Sequence, residues 1–167
     1  MLFSLSSFAE DGMTNPHMQR AIELSIESVE QRNGGPFGAV VVKDGRILAE
    51  GTNSVVENND PTAHAEIVAL REACRKLNSF QLTGCDIYSS CEPCPMCLAA
   101  LYWARPAKIF FAGTRDDAAK VGFDDTYIYS QLMLPVEGRA IPTKQLMRDQ
   151  AQEAYRRWRA KTDKKQY

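Results

Sequence analysis

The stretch PTAHAE (61–66) places a histidine two residues before a glutamate, where an apolar helical pattern begins. On its own, a histidine at a helix start is more often structural than catalytic. A second stretch, SCEPCPMC (90–97), holds Cys94 and Cys97 three residues apart, and the proline between them predicts the first turn of another helix. Residues i and i+3 share one face of a helix, so both thiols can reach a single metal ion. Together with His64 they predict a zinc site built from two helix starts.

This ligand set predicts a catalytic zinc, because structural sites usually have four protein ligands whereas catalytic sites leave one position to water. Zinc makes a bound water acidic enough to act as a nucleophile at neutral pH. Glu66 lies two residues after His64, at a helix end from which its carboxylate can reach the same site without binding the metal. We therefore expect zinc-activated water as the nucleophile and Glu66 as the proton shuttle. The combination of H-x-E with P-C-x-x-C is the signature of zinc deaminases.

Cys91 leaves open a different kind of site. It stands three residues before Cys94, and as a fourth ligand it would close the zinc shell and make the protein a non-catalytic zinc interaction module. Two features oppose this alternative: a Glu-Pro pair separates the two cysteines, and a closed site gives Glu66 no role. Cys74 and Cys85 lie in apolar sequence and are expected to be packing residues.

The composition is that of a soluble globular protein with one domain: 167 residues, 44% hydrophobic, 25% charged, with a net charge of −1. This balance argues against a dedicated nucleic-acid binder. The charge is uneven, since residues 144–167 carry eight Lys or Arg against three Asp or Glu, and the remainder carries 12 against 18. We expect this basic end to dock on an acidic surface of its own fold or of a partner subunit, with RNA or phosphate binding as the alternative.

The sequence predicts a cytoplasmic protein without a membrane segment. No stretch approaches the roughly 18 apolar residues of a transmembrane helix. The first 13 residues contain no Lys or Arg and their apolar run is interrupted by serines, which makes a poor signal peptide. Five cysteines, an odd number with one C-x-x-C pair, suit a reducing compartment and a metal better than a disulfide framework.

The hydrophobic pattern predicts an α/β fold with a partly parallel sheet and helices on both of its faces. Asn15 and Pro16 are typical of a helix start, and apolar residues recur at helical spacing after them. That repeat consists of Met18, Ile22, Ile26 and Val29. The dipeptide Asp44-Gly45 predicts the tight turn of a hairpin. The other predicted elements are helices at 63–77, 95–104 and 145–161 and strands at 37–43, 46–53, 85–90 and 108–113.

Six stretches closely resemble the cytidine-deaminase superfamily, and within it the short bacterial type of guanine deaminase. They are GGPFGAVVVKDG, NDPTAHAEIVALR, SCEPCPMC, YWARP, GFDD and the terminal KKQY, and the resemblance covers nearly all of the chain after about residue 15. It implies a three-layer α/β/α sandwich around a central five-stranded mixed sheet, with residues 15–150 as the zinc-dependent deaminase domain. It also implies hydrolytic deamination of guanine to xanthine and ammonia.

The resemblance implies a role for each residue of the metal site. His64, Cys94 and Cys97 correspond to the zinc ligands, and Glu66 corresponds to the proton shuttle. The backbone N–H of Cys94 is further implied to help hold the zinc-bound oxygen, which makes Cys94 both a ligand and a catalytic residue.

The residues implied to bind the purine are Asn53, Phe37, Trp103, Asp125 and Tyr167. An asparagine offers a donor and an acceptor to a base edge, although a turn residue at a strand end is the structural alternative for Asn53. Phe37 and Trp103 would form aromatic walls for a flat base, with core packing as the alternative for each ring. Asp125 would accept hydrogen bonds from guanine, a role that its neighbour Asp124 could exchange with it.

Tyr167 is the last residue of the chain. The resemblance implies that it reaches the base from a C-terminal segment exchanged between the subunits of a homodimer. We expect residues 151–167 to form this C-terminal helix and tail, and residues 1–14 to be flexible.

Two other deaminase activities would share the same metal site. A tRNA adenosine deaminase has similar NDPTAHAE and EPCxMC motifs but would need a basic groove for an RNA loop, whereas this chain is acidic outside its tail. The other is the deamination of cytosine or another small amino-heterocycle. Zinc removal would distinguish both from a non-catalytic zinc module, because a deaminase loses turnover first and a module loses its fold.

Overall fold

The computed structural model describes residues 14–32 and 34–166, which form two compact units, one ending at Asp124 and the other beginning at Asp125. The expected flexibility of the N-terminal segment falls almost entirely on residues outside this described part, as does the predicted role of Tyr167. The predicted boundary between residues 150 and 151 stays a prediction.

The first unit alternates helices and strands, as an α/β fold requires. Its elements are α1 (Pro16–Arg32), β1 (Gly38–Lys43), β2 (Arg46–Thr52), α2 (Val55–Asn58), α3 (Ala65–Leu77), β3 (Cys85–Cys91), α4 (Pro95–Ala104), β4 (Lys108–Gly113) and α5 (Arg115–Lys120). The second unit contains α6 (Thr126–Leu132), a 3₁₀ turn (Val136–Gly138) and α7 (Arg148–Ala160).

Local sequence signals account for the start of α1 and for the hairpin. The side-chain oxygen of Asn15 accepts hydrogen bonds from the backbone N–H groups of His17 and Met18, both at 3.0 Å, so Asn15 caps the helix as predicted. Asp44 and Gly45 both have positive φ angles, 50° and 73°, which is the conformation that a two-residue hairpin turn requires. The turn sets the antiparallel pairing of β1 with β2.

The sheet is mixed, with the strand order β2-β1-β3-β4. β1 pairs antiparallel with both β2 and β3, whereas β3 and β4 are parallel and are joined through α4. Helices cover both faces, which confirms the predicted fold class. One core lies between α1 and the sheet and the other between the sheet and α3 with α4.

The sheet has four strands among the described residues, not the five that the resemblance implied. After β4 the chain turns into α5, because Thr114 starts a capping box. Its hydroxyl accepts from the backbone N–H of Asp117 at 3.2 Å, and the Asp117 carboxylate accepts from the backbone N–H of Thr114 at 3.1 Å. The described residues of the second unit form helices and turns and no strand.

The apolar repeat that predicts α1 faces the core only in part, since Met18 packs against the buried cluster that contains Ala21 and Leu24. Ile26 and Val29 are about half exposed, at 51% and 52%, whereas Ala21 and Leu24 are buried. A Cβ on Gly38 would lie 2.3 Å from the backbone oxygen of Ala21, so the helix approaches β1 very closely. Glycine at position 38 makes this approach possible, because a side chain there would overlap the helix.

The second unit has no buried side chain among its described residues. Its exposed large apolar side chains are Tyr127, Ile128, Leu132, Met133, Leu134, Val136, Ile141, Leu146, Met147, Tyr155 and Trp158. A segment this small cannot form a hydrophobic core of its own, and so much exposed apolar surface is typical of an interaction surface.

Within the part of the chain that the structure describes, none of the helices has the length and apolar character needed to cross a lipid bilayer.

Candidate metal centre and active site

His64 and Cys94 occupy the same structural position in two different helices. His64 is the N-cap of α3 and Cys94 is the N-cap of α4, and both have an extended backbone with ψ angles of 156° and 168°. Neither side chain caps its own helix. Instead the imidazole and the thiol meet in front of the two helix starts, where the helix dipoles favour negative charge such as a thiolate.

The three predicted ligands converge at this point. The His64 Nδ1 atom lies 3.5 Å from the Sγ atoms of both Cys94 and Cys97, and all three ligand atoms lie within 4.8 Å of one another. A tetrahedral zinc with the usual Zn–S and Zn–N bond lengths separates its sulfur and nitrogen ligands by about 3.6 Å. The donor set and its spacing therefore fit zinc, and these three residues could hold it.

Glu66 lies beside this cluster without belonging to it. It is in the first turn of α3, is buried, and accepts a hydrogen bond from the Cys97 thiol at 3.5 Å. Burial raises the pKa of the Glu66 carboxyl above its ordinary value, and the neighbouring Cys94 charge acts in the same direction. A carboxylate whose pKa is raised is a stronger base than an exposed one, which suits a group that accepts a proton and passes it on.

The hydrogen bonds of the cluster already favour a thiolate. A hydrogen bond with Cys97 is the largest cause that lowers the pKa of Cys94 to about 4, and a hydrogen bond with His64 contributes further. The same bond and burial raise the pKa of the Cys97 thiol, while the pKa of His64 is raised mainly by its hydrogen bond with Cys94. Metal binding favours the deprotonated form of both thiols.

Cys91 is not part of the converging group. Its thiol donates to the backbone oxygen of Thr114 at 3.6 Å, and the backbone N–H of the next residue, Glu92, donates to the oxygen of Gly113 at 2.8 Å. Both contacts hold the end of β3 against the end of β4. The cluster that the structure forms therefore consists of three protein ligands, as a catalytic site requires.

Asn53 and Phe37, both predicted to bind the base, are joined through their backbones. Asn53 follows β2 and is buried, and its N–H donates to the Phe37 oxygen at 3.2 Å. The Asn53 side-chain oxygen also accepts from the N–H of Val55 at 3.3 Å, which is the strand-end turn considered above as the structural alternative. The next backbone N–H, of Ser54, donates to the oxygen of Ala63 at 2.9 Å, so the segment after β2 is tied to the residue before His64.

The aromatic candidates have different environments. Phe37 is half-buried, packs against the larger core, and makes an edge-to-face contact with Phe123 at 4.9 Å between ring centres. Trp103 is 65% exposed on α4, so core packing does not account for it. The contact of Phe123 with Phe37 was not predicted from the sequence, although Phe123 lies in the GFDD stretch that carries part of the resemblance.

The two carboxylates of GFDD fall on either side of the boundary between the units. Asp124 ends the first unit, and Asp125 begins the second as the N-cap of α6. The substrate roles of Asp125 and Tyr167 stay predictions.

Residues 13–113 match the family model of the cytidine and deoxycytidylate deaminase zinc-binding region. The chain belongs to this deaminase family. It is 51% identical to the guanine deaminase of Bacillus subtilis strain 168 over 150 residues, which cover 90% of this chain and 96% of that protein. It is also 51% identical to the tRNA-specific adenosine deaminase of Aquifex aeolicus, but over 77 residues that cover 46% of this chain and 51% of the relative.

The fold agrees with this membership. An X-ray structure of guanine deaminase from Bacillus subtilis superimposes with a TM-score of 0.89 at 49% sequence identity, covering 92% of this chain and 99% of that one. The similarity therefore extends through both units, whereas the family model ends at β4.

Gly34 offers a test of how the deaminase positions Asn53. A Cβ on Gly34 would lie 2.4 Å from both the backbone oxygen of Asn53 and the Ser28 hydroxyl. We expect Gly34→Ala to displace Asn53, to raise KM for the substrate and to lower the free energy of unfolding by about 1–3 kcal/mol. Steady-state kinetics and thermal unfolding measure both effects.

Gly138→Ala is the matched control, because a Cβ there meets its nearest atom at an ordinary 3.6 Å. An unchanged KM in Gly34→Ala would show that the close approach of Gly34 to Asn53 does not matter for substrate binding.

Proposed function

We propose that this protein is a zinc-dependent aminohydrolase that converts guanine and water to xanthine and ammonia. The observation that carries the proposal is the extent of the similarity: the match spans 96% of a guanine deaminase but only 51% of a tRNA-specific adenosine deaminase of equal identity. The metal cluster fits either activity, so the distinction rests on the rest of the chain. We place the enzyme in the cytoplasm, where reducing conditions keep Cys94 and Cys97 as thiols.

The three ligands of the cluster and Glu66 have separate roles in the reaction. His64, Cys94 and Cys97 hold the zinc, which when bound supplies a water acidic enough to be a nucleophile at neutral pH. Glu66 takes a proton from that water and delivers it to the amino nitrogen on C2 of guanine. The oxygen of the water bonds to C2, the C2–N bond breaks and ammonia leaves. The remaining hydrogen of the water ends on N3 of xanthine, so that guanine and water balance xanthine and ammonia.

Glu66 suits this role because of its surroundings. Its burial keeps bulk water away and raises its pKa, so that the carboxylate that takes the proton is a strong enough base and the resulting acid can release it again. The backbone N–H of Cys94, at the start of α4, is a donor for the oxygen that is added to the ring.

The base is held by Asn53, Phe37, Trp103, Asp125 and Tyr167. The Asn53 amide presents a donor and an acceptor to the base edge, and Asp125 accepts from the N–H groups of guanine. Aromatic stacking against a base contributes about 1–3 kcal/mol, which suits a flat substrate between Phe37 and Trp103.

The working form is a homodimer in which the C-terminal segments are exchanged and cover the active sites. Two features of this chain support that assembly. The described part of the second unit has many exposed apolar side chains and no buried one. Residues 144–167 also carry an excess of positive charge against an acidic remainder, which favours docking between opposite charges.

Deletion of Tyr167 tests the covering segment. We expect the truncated enzyme to lose most of its guanine turnover, because the C-terminal segment then no longer excludes water from the active site. Its thermal unfolding temperature should change little. Kinetics at saturating guanine and a thermal melt provide the two readings. Normal turnover after the deletion would remove Tyr167 from the site.

The proposed activity is tested by ammonia release from a panel of substrates. The zinc-loaded protein is given guanine, adenine, cytosine, cytidine and an adenosine-containing anticodon stem-loop in parallel, with Glu66→Gln as the inactive control. We expect release from guanine that the control lacks. Ammonia release from the RNA alone would make the chain a tRNA adenosine deaminase. No release from any of the five substrates would favour a structural zinc site with Cys91 as the fourth ligand.

A further inference from the structure

The loop before His64 is organised by one carboxylate. Asp60 lies between α2 and α3, and its Oδ1 accepts hydrogen bonds from both the N–H and the hydroxyl of Thr62, at 2.8 and 2.7 Å. Its backbone oxygen accepts from Ala63 at 3.0 Å, and its own N–H donates to Val55 at 3.1 Å. Pro61 stands between Asp60 and Thr62, and its ring restricts the backbone at the centre of this turn.

These bonds lead directly to the zinc imidazole. The His64 N–H donates to the backbone oxygen of Thr62 at 2.8 Å. Thr62 is therefore bonded both to Asp60 and to the backbone of His64. The Ala63 oxygen accepts from Ser54 at 2.9 Å, next to Asn53. The turn at Asp60 therefore lies within the loop that begins at Asn53, which is predicted to bind the substrate, and ends at the metal ligand His64.

Arg71 supports the same turn from α3. Its guanidinium donates to the Thr62 hydroxyl at 3.3 Å and lies 3.5 Å from the Asp60 carboxylate. Both side chains are partly exposed, and an ion pair of this kind contributes little by itself. Among the side-chain contacts of the turn, the two short hydrogen bonds from Thr62 to Asp60 therefore restrain the backbone more than the ion pair does.

We propose that Asp60 is a positioning residue for zinc binding, which acts by fixing the backbone of His64 through Thr62. It touches neither the metal nor the substrate. A ligand that is held in place before the metal arrives loses less freedom on binding, and loss of such a supporting partner typically weakens metal affinity by about 10- to 100-fold. This role of Asp60 belongs to the metal site and is independent of whether guanine is the substrate.

Zinc affinity, measured by competition with a chromophoric chelator on the full-length protein, tests this role. We expect Asp60→Ala to weaken zinc binding by about 10- to 100-fold. The thermal unfolding temperature of the zinc-free protein should change little. Asp60→Asn keeps an oxygen that can accept both bonds from Thr62, and we expect it to restore the affinity to within about threefold of the native protein.

Glu72→Ala is the matched control, because Glu72 also accepts two hydrogen bonds, from Arg75 at 2.9 and 2.7 Å. Glu72 lies on α3 about two helical turns after His64, outside the turn at Asp60. Its zinc affinity should equal that of the native protein. Native zinc affinity in Asp60→Ala would overturn the proposal. An Asp60→Asn variant as weak as Asp60→Ala would also overturn it, since the hydrogen bonds would then not be the cause.

Discussion

Replacing Glu66 by glutamine is expected to abolish turnover while leaving the fold and the bound zinc intact. Glutamine has nearly the same shape, so the buried site keeps its packing, but it can neither take a proton from the attacking water nor deliver one to the departing nitrogen. General acid–base catalysis contributes roughly a hundred- to ten-thousandfold, and here one residue serves in both steps. We therefore expect kcat for guanine to fall by at least about a thousandfold. Single-turnover kinetics and metal analysis of the same preparation give the two readings.

Glu72→Gln is the control for this variant, because Glu72 lies on the same helix but is paired with Arg75 away from the site. It should retain native kcat. A Glu66→Gln protein that has lost its zinc would make Glu66 a ligand or a structural group, and one that retains native turnover would exclude it as the proton shuttle.

Exchange of Cys97 for serine is expected to remove both zinc and activity. Cys97 is fully buried, and its Sγ lies 3.5 Å from the His64 Nδ1 atom. Among the described residues the cluster contains only two other ligands, His64 and Cys94, so nothing takes the place of Cys97. Serine preserves the volume but is a poor zinc ligand. We expect zinc to fall from about one ion per chain to almost none, and turnover to fall with it, while the folded state persists because both cores remain. Metal analysis and a thermal melt measure this.

Cys91→Ser is the paired control. Cys91 contacts the oxygen of Thr114 rather than the cluster, so this variant should retain zinc and guanine turnover. Loss of zinc from Cys91→Ser would support a closed site with four ligands. Unfolding of Cys97→Ser would support a structural metal, as in the non-catalytic alternative.

Much of the first unit could be predicted because its boundaries depend on local chemistry. Pro95 begins α4, and Asp44-Gly45 forms the hairpin turn. The short helices α2 and α5 were not predicted, since four or six residues contain too little periodicity to distinguish a helix from a loop. The C-terminal helix begins at Arg148 rather than at 145, and the residue before it, Met147, has a positive φ that the apolar pattern does not reveal.

The metal ligands could be predicted for a similar reason. The spacing of Cys94 and Cys97 on one helix turn is visible in the sequence, and His64 with Glu66 supplies the other half of a specific motif. The surroundings of Asn53 could not be predicted in this way. Its contacts with Phe37 and Ser28 join residues 16 and 25 positions apart, and they depend on how α1 and β1 pack.

Hydrolysis at the amino-bearing carbon of guanine is measured by incubating the zinc-loaded enzyme with guanine in ¹⁸O-labelled water. We expect each xanthine to contain one labelled oxygen and each to be accompanied by one ammonia, with neither formed by Glu66→Gln. Unlabelled xanthine, or guanine recovered unchanged from a protein with a full complement of zinc, would exclude hydrolysis at this carbon.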